Sequence, residues 1–253
     1  MKKYVVLPLL PLLLLVFSQN AVTAGSAGSY QPLPEALEAL NGDETVDVTN
    51  ASDFYYAFEP KQGTPSKGFI IYPGGKVDPR SYAPTAHAIA AKGYVAVIVR
   101  MPLDIAFLGY KRANIIMRKY PGIKTWAIGG HSLGGVGACD YAQKYTEKIA
   151  GVVLWASYPS SSFSLRDTNL KVISVYGTKD GLTDANDIAN SHQDLPEDTI
   201  WVEIKGGNHT QFGYYWDGKD ENFLQPDDNP ADISRAAQQE IIINATADFL
   251  EAM

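Results

Sequence analysis

The chain has 253 residues, of which 45% are hydrophobic and 11% aromatic, and a formal charge of −7 at pH 7. That length allows one large α/β core and leaves no room beside it for a second domain of ordinary size. The acidic balance disfavours nucleic acid and anionic membrane surfaces as partners.

In chain order, Lys2 and Lys3, an apolar stretch broken by Pro8 and Pro11, and the small-residue site Val22-Thr23-Ala24 read as a signal peptide over residues 1–24. The apolar stretch falls well short of the roughly 20 residues that span a bilayer. The expectation is therefore cleavage near Gly25, a secreted mature chain and no stable membrane insertion afterwards. Removing this leader, which holds two lysines and no acid, takes the formal charge to −9. Residues 25–43, rich in Gly, Ser, Pro and Glu, are expected to be a poorly ordered lead-in with a short helical turn at 34–40. The folded core is expected over 44–253.

Within it, residues 44–48 and 53–58 read as antiparallel edge strands, 68–72 as a buried strand, 82–92 as a helix and 94–99 as a second buried strand. A helix around 111–118, a strand at 126–128, a helix at 136–145 and strands at 151–156 and 171–176 follow. The last units are a helix at 184–191, a strand at 199–204 and a terminal helix at 233–251. Strands such as Tyr94-Val95-Ala96-Val97-Ile98-Val99 are continuously apolar, as parallel strands buried on both faces are. The pattern predicts a doubly wound, mostly parallel α/β sheet, and the short 156–171 connection leaves no room for a large cap.

The most informative run is Gly130-His131-Ser132-Leu133-Gly134, a G-x-S-x-G sequence between a predicted strand and a predicted helix. A serine there sits on a strained turn with its hydroxyl projecting, and glycines two positions to either side remove the β-carbons that would block the strand-to-helix crossing. A serine hydroxyl needs a histidine to take its proton and a carboxylate to orient that histidine. Of the four histidines, His87 and His192 fall on predicted helices and His131 is the variable residue of the elbow. His209 follows a strand, in Gly206-Gly207-Asn208-His209, and is the base by position. Asp180, in the turn after the 171–176 strand, is the orienting acid; its rivals Asp184 and Asp187 suit the N-cap and first turn of the next helix. The oxyanion donors should be the Leu133 amide and an amide of Pro73-Gly74-Gly75-Lys76, placed at Gly75 with Lys76 as the alternative. Lys76, Met101, Leu103, Gln211 and Phe212 are the expected substrate-binding residues.

Other signals are weaker. Cys139, the lone cysteine, reads as a small core residue. Sequons occur at Asn50, Asn208 and Asn244, the second beside His209. Asp217, Asp220, Glu221, Asp227, Asp228 and Asp232 match no calcium-loop spacing, so they read as a solvated acidic loop and no metal is expected.

With Pro73-Gly74-Gly75, Val77-Asp78-Pro79 and Tyr82, Met101-Pro102-Leu103, the elbow, and Gly206-Gly207-Asn208-His209 with Gln211-Phe212-Gly213, residues 44–253 resemble the α/β-hydrolase superfamily. They are similar to its small lidless carboxylesterase-like group related to dienelactone hydrolases. Two departures stand out: dienelactone hydrolases proper carry cysteine where this chain has Ser132, and many esterases carry His-Gly where it has Pro73-Gly74. The resemblance implies a Ser132, Asp180, His209 triad, cleavage of a small ester and no cofactor. Amide, thioester, lipid or polyester cleavage on the same triad, or a non-catalytic binding module on this fold, are the alternatives.

Overall fold

The computed structural model describes residues 30–51, 54–220 and 222–253, so the signal-peptide reading lies outside the described residues. The elements run β1 (Gln31–Pro32), α1 (Pro34–Glu38), β2 (Val46–Asn50), β3 (Tyr55–Pro60), β4 (Lys67–Tyr72), α2 (Ala83–Ala91) and β5 (Val95–Val99). Next come α3 (Ala106–Gly109), α4 (Ala113–Lys119), β6 (Thr125–His131), α5 (Leu133–Lys144) and β7 (Gly151–Trp155). The chain closes with β8 (Lys171–Gly177), α6 (Ala185–Ser191), β9 (Ile200–Ile204), β10 (Tyr215–Trp216) and α7 (Arg235–Glu251).

An eight-stranded sheet in the order β2-β3-β5-β4-β6-β7-β8-β9 forms the centre. From β5 to β9 all neighbours are parallel, while β3 runs antiparallel to both β2 and β5. Of the two strands expected at an edge, only β2 is one; β3 lies inside. This is the α/β-hydrolase architecture, with helices on both faces and no large cap.

The continuously apolar strands explain the two layers. Successive side chains of a strand point to opposite faces, so in β5 Ala96 and Ile98 face one core while Val95, Val97 and Val99 face the other. The first core is closed by α2 and α7 through Ile89, Ile242, Phe249 and Leu250. The second is closed by α4 and α5 through Ile116, Ala138, Tyr141 and Cys139, whose thiol burial holds well above the usual thiol range. Part of the lead-in expected to lack order carries structure from Tyr30 onward. There α1 packs beside α2, and β1 pairs with β10 through Gln31–Trp216 and Pro32–Tyr215.

The fold is tight where β6 turns into α5 against the end of β4. A β-carbon at Gly130 would stand 2.0 Å from the Tyr72 carbonyl oxygen, and one at Gly134 would stand 2.1 Å from the same atom. Backbone cannot yield as a flexible side chain can. Gly134→Ala should therefore lower the unfolding free energy by roughly 3 kcal/mol, the upper end of the usual overpacking penalty, in a urea titration. Gly122→Ala, where an added β-carbon meets nothing within 4 Å, should change it by less than about 0.5 kcal/mol. Equal midpoints for the two variants would show that the crossing is not tight.

Candidate active site

The strand ends β4 to β9 share one rim, and the elbow opens onto it. Ser132 has φ 52° and ψ −126°, a left-handed conformation that costs a non-glycine residue about 1–3 kcal/mol. Its backbone is pinned from both sides: its N–H donates to Trp155 O at 3.0 Å, and its carbonyl accepts from Gly135 N–H at 3.0 Å and from the Ser157 hydroxyl at 2.7 Å. The side chain is half-buried at the first turn of α5.

Asp180 and His209 meet beside the elbow, where the ring of its His131 packs against that of His209. The loops after β8 and β9 are stitched together by Lys179 N–H to Gly207 O at 2.8 Å and Gly206 N–H to the Thr178 hydroxyl at 2.9 Å. They bring His209 Nδ1 to 2.8 Å from Asp180 Oδ2, with both side chains essentially out of solvent. The other Asp180 oxygen accepts from Leu182 N–H at 2.8 Å and Thr183 N–H at 2.7 Å. A carboxylate can only accept, so Nδ1 carries the proton and Nε2 is left as the bare, basic nitrogen. Nε2 is buried and makes no hydrogen bond, so the contact to Ser132 is not closed in this conformation. Such a bond often tightens only once substrate is bound.

Both rival acids are accounted for elsewhere. Asp184 caps α6, accepting from Asn186 N–H at 2.7 Å and Asp187 N–H at 2.9 Å, and the Asp187 side chain accepts from Asp184 N–H at 3.1 Å to complete a capping box. Of the other histidines, His87 stands 3.5 Å from Asp43 and His192 stacks on Trp201, both away from this rim.

Sequence reasoning missed Asp228. Expected in a solvated acidic loop, it is buried beneath the His209 turn. Its Oδ1 accepts from Gly181 N–H at 3.1 Å, His209 N–H at 3.2 Å and Asn229 N–H at 2.9 Å. Oδ2 accepts from the Thr210 amide at 2.8 Å and its hydroxyl at 2.6 Å. One carboxylate thus clamps the turn that carries Asp180 to the turn that carries His209. No signal in the local sequence separates it from its acidic neighbours. Asn208, the sequon beside His209, is buried and donates its side-chain amide to Asn229 O at 2.8 Å, so a glycan has no access.

The 73–76 loop, expected to supply an oxyanion donor, lies against the elbow: a β-carbon at Gly75 would meet the Leu133 side chain at 2.9 Å. Lys76, the alternative donor, has φ 60° and gives its amide hydrogen to Asp104 O at 3.0 Å, which commits that N–H away from a substrate. Of the two candidates in this loop, that leaves Gly75, beside Leu133. The expected substrate-binding residues divide. Lys76 and Leu103 are exposed on the rim, Leu103 at 81%. Met101 is buried in the second core, and Phe212 is fully buried with its ring stacked on His131, so neither offers surface to a ligand. Gln211 is half-buried and tied to α7, its carbonyl accepting from Gln239 Nε2 at 2.6 Å. The apolar character of Met101 and Phe212 in sequence reflected packing.

No curated protein matches the chain significantly in sequence. Among solved structures it is similar to a dienelactone hydrolase from Anabaena variabilis, with a TM-score of 0.63 and 12% identity over 83% of this chain and 99% of that one. It is also similar to the esterase Est2 from Thermogutta terrifontis, with a TM-score of 0.57 and 15% identity over 83% of this chain and 93% of that one. A third is Est1E from Butyrivibrio proteoclasticus, with a TM-score of 0.57 and 10% identity over 81% of this chain and 98% of that one. Identities this low show the fold alone. Residues 68–240, from β4 into α7 and including Ser132, Asp180 and His209, match the alpha/beta hydrolase family, and the chain belongs to it.

Proposed function

We propose that this chain is a secreted serine hydrolase that cleaves carboxylic esters of small soluble substrates through an acyl-enzyme. The observation that carries the reading is the sealed His209–Asp180 pair, at 2.8 Å, beside a serine held in a left-handed elbow. Ser132 Oγ attacks the ester carbonyl as its proton passes to His209 Nε2. The Asp180 carboxylate, already preorganised by two backbone amides, stabilises the imidazolium that results. The Leu133 and Gly75 amides receive the oxyanion, and their worth lies in being in place before charge develops. His209 returns the proton to the leaving alcohol, and water then repeats the sequence on the acyl-enzyme.

A structural neighbour lends support: the Thermogutta terrifontis Est2 is an esterase and is also known phosphoramylated by tabun. A fluorophosphonate probe should accordingly label this chain on Ser132, and labelling elsewhere would overturn the assignment. Ser132→Ala should fold and lose about six orders of magnitude in turnover. Asp180→Asn should lose roughly 10⁴, because the imidazole is then held in the wrong tautomer, whereas Asp184→Asn should affect only the α6 cap. The reverse pattern would reassign the acid.

Asp228 gives a separate expectation. Asp228→Ala leaves the amides of Gly181, His209 and Thr210 without this acceptor, and the two buried ones, at His209 and Thr210, cost about 1–3 kcal/mol each when orphaned. Thermal unfolding should come at clearly lower temperature, and kcat should fall as the two loops lose register. Wild-type stability in this variant would mean that Asp228 clamps nothing.

With no large cap and a short β7–β8 connection, access is open at all times. Nitrophenyl butyrate below its solubility limit should therefore be turned over faster than long-chain esters. A rate that jumps at the substrate's aggregation point would identify a lipase instead.

A further inference from the structure

The variable residue of the elbow, His131, is buried and touches the proposed machinery on two sides. Its ring centroid lies 4.4 Å from that of His209, and its other face stacks on Phe212 at 5.6 Å with 7° between the planes. Its Nδ1 is 2.9 Å from the Tyr82 hydroxyl oxygen, and that oxygen is 3.0 Å from the Gly74 backbone nitrogen. The Gly74 N–H can only donate, so Tyr82 accepts there. Tyr82 is fully buried, and among the described residues its hydroxyl has no acceptor other than His131 Nδ1. Its single hydrogen therefore goes to that nitrogen, and His131 is the neutral tautomer with the proton on Nε2.

That Nε2–H is buried and makes no well-formed hydrogen bond, as is true of the Nε2 of His209; a buried donor needs an acceptor, and the group His131 faces is the backbone of His209. Burial first, and the neighbouring His209 second, hold His131 well below the usual imidazole range, so it stays uncharged. The groups facing it are Tyr82 from the turn before α2, His209 and Phe212 from the loop after β9, and Tyr215 from β10 at 6.3 Å. Asp180 stands behind His209.

We infer that His131 is a positioning residue for the proposed hydrolysis: it walls the His209 ring into place and, through the Tyr82 hydroxyl, ties that ring to Gly74, next to the oxyanion donor at Gly75. One buried relay then sets the relative position of the base and the oxyanion hole. It also keeps charge off the ring packed beside His209 at the moment His209 becomes an imidazolium. The relay proton on His131 does not move during the reaction; the Ser132 proton goes to His209 and on to the leaving alcohol. This inference rests on the triad reading above.

Tyr82→Phe tests it, because the ring packing stays and only the hydroxyl goes. We expect kcat on nitrophenyl butyrate to fall about 10- to 100-fold, the scale of a small misplacement at a reacting centre, with KM nearly unchanged. The acid limb of kcat/KM should steepen, because the freed Nδ1 can then take a proton and a cationic His131 ring opposes the imidazolium that the reaction must form beside it. His131→Phe, which fills the volume without an acceptor, should lose kcat similarly but show no steepened limb. In ¹⁵N spectra of histidine-labelled wild type, His131 should hold a bare Nδ1 and a protonated Nε2 wherever the protein is folded. This readout stands even if a variant fails to fold. Wild-type kcat and pH profile in Tyr82→Phe, or a His131 that titrates in the ordinary imidazole range, would overturn the relay. His209→Ala separates the two levels: residual turnover near wild type would sink the triad and the relay together. An inactive His209→Ala beside a fully active Tyr82→Phe would sink the relay alone.

Discussion

The Tyr72 carbonyl oxygen occupies the space that side chains at 130 and 134 would need, and the functional rim follows from that contact. Because β4 and the β6–α5 turn approach to backbone distance, the chain has no room to leave β6 gradually, and Ser132 is forced into its left-handed turn. The same approach brings the loop that leaves β4 against the start of α5, which is how Gly75 comes to lie on Leu133. The left-handed turn of Ser132 and the adjacency of Gly75 to Leu133, the amides proposed to hold the oxyanion, are thus consequences of one packing constraint. They need no separate explanation.

The second dependency is electrostatic. An acidic chain places two carboxylates, Asp180 and Asp228, in the buried loops around His209. Burying a charge is costly unless it is hydrogen-bonded. Each is met by backbone amides: Asp180 by Leu182 and Thr183, Asp228 by Gly181, His209, Asn229 and Thr210. Amide dipoles fixed by the fold neutralise charge without adding a mobile cation that would compete for the imidazolium. Asp180 then has an oxygen to spare for His209, while Asp228 is saturated and serves only to hold the loops.

What could be read from the sequence depended on the range of the cause. The parallel strands were legible because burial on both faces writes an uninterrupted apolar run, as in 94–99, and the elbow because its steric demands fall within five residues. The acid at 180 was separable from those at 184 and 187 because capping is local chemistry that could be recognised in advance. Asp228 was not legible: all its partners but the adjacent Asn229 lie 18 to 47 positions away, and its immediate surroundings match those of its exposed neighbours. The two-residue strands β1 and β10 escaped for the same reason, since each exists only through the other. Met101 and Phe212 misled in the opposite direction. A buried apolar side chain near a site looks the same in sequence as one that lines it.

The distribution of backbone strain carries the synthesis one step further. Among the described residues, the non-glycine positions with left-handed φ are Lys76, Leu103, Asp104, Ser132, Ala156 and Asp227. The first five follow β4, β5, β6 and β7 at their C-terminal ends, and the sixth precedes the clamp residue Asp228. Turns that lead into strands at the opposite edge use glycine instead, Gly63 before β4 and Gly93 before β5. At about 1–3 kcal/mol for each strained residue, the rim's total is of the same order as the whole net stability of an ordinary domain, about 5–15 kcal/mol. A rim so strained persists only because parallel strands buried on both faces over-determine where each loop begins. The two apolar layers are therefore what hold Ser132, the 74–76 loop and the 103–104 turn in conformations those residues would not adopt by themselves.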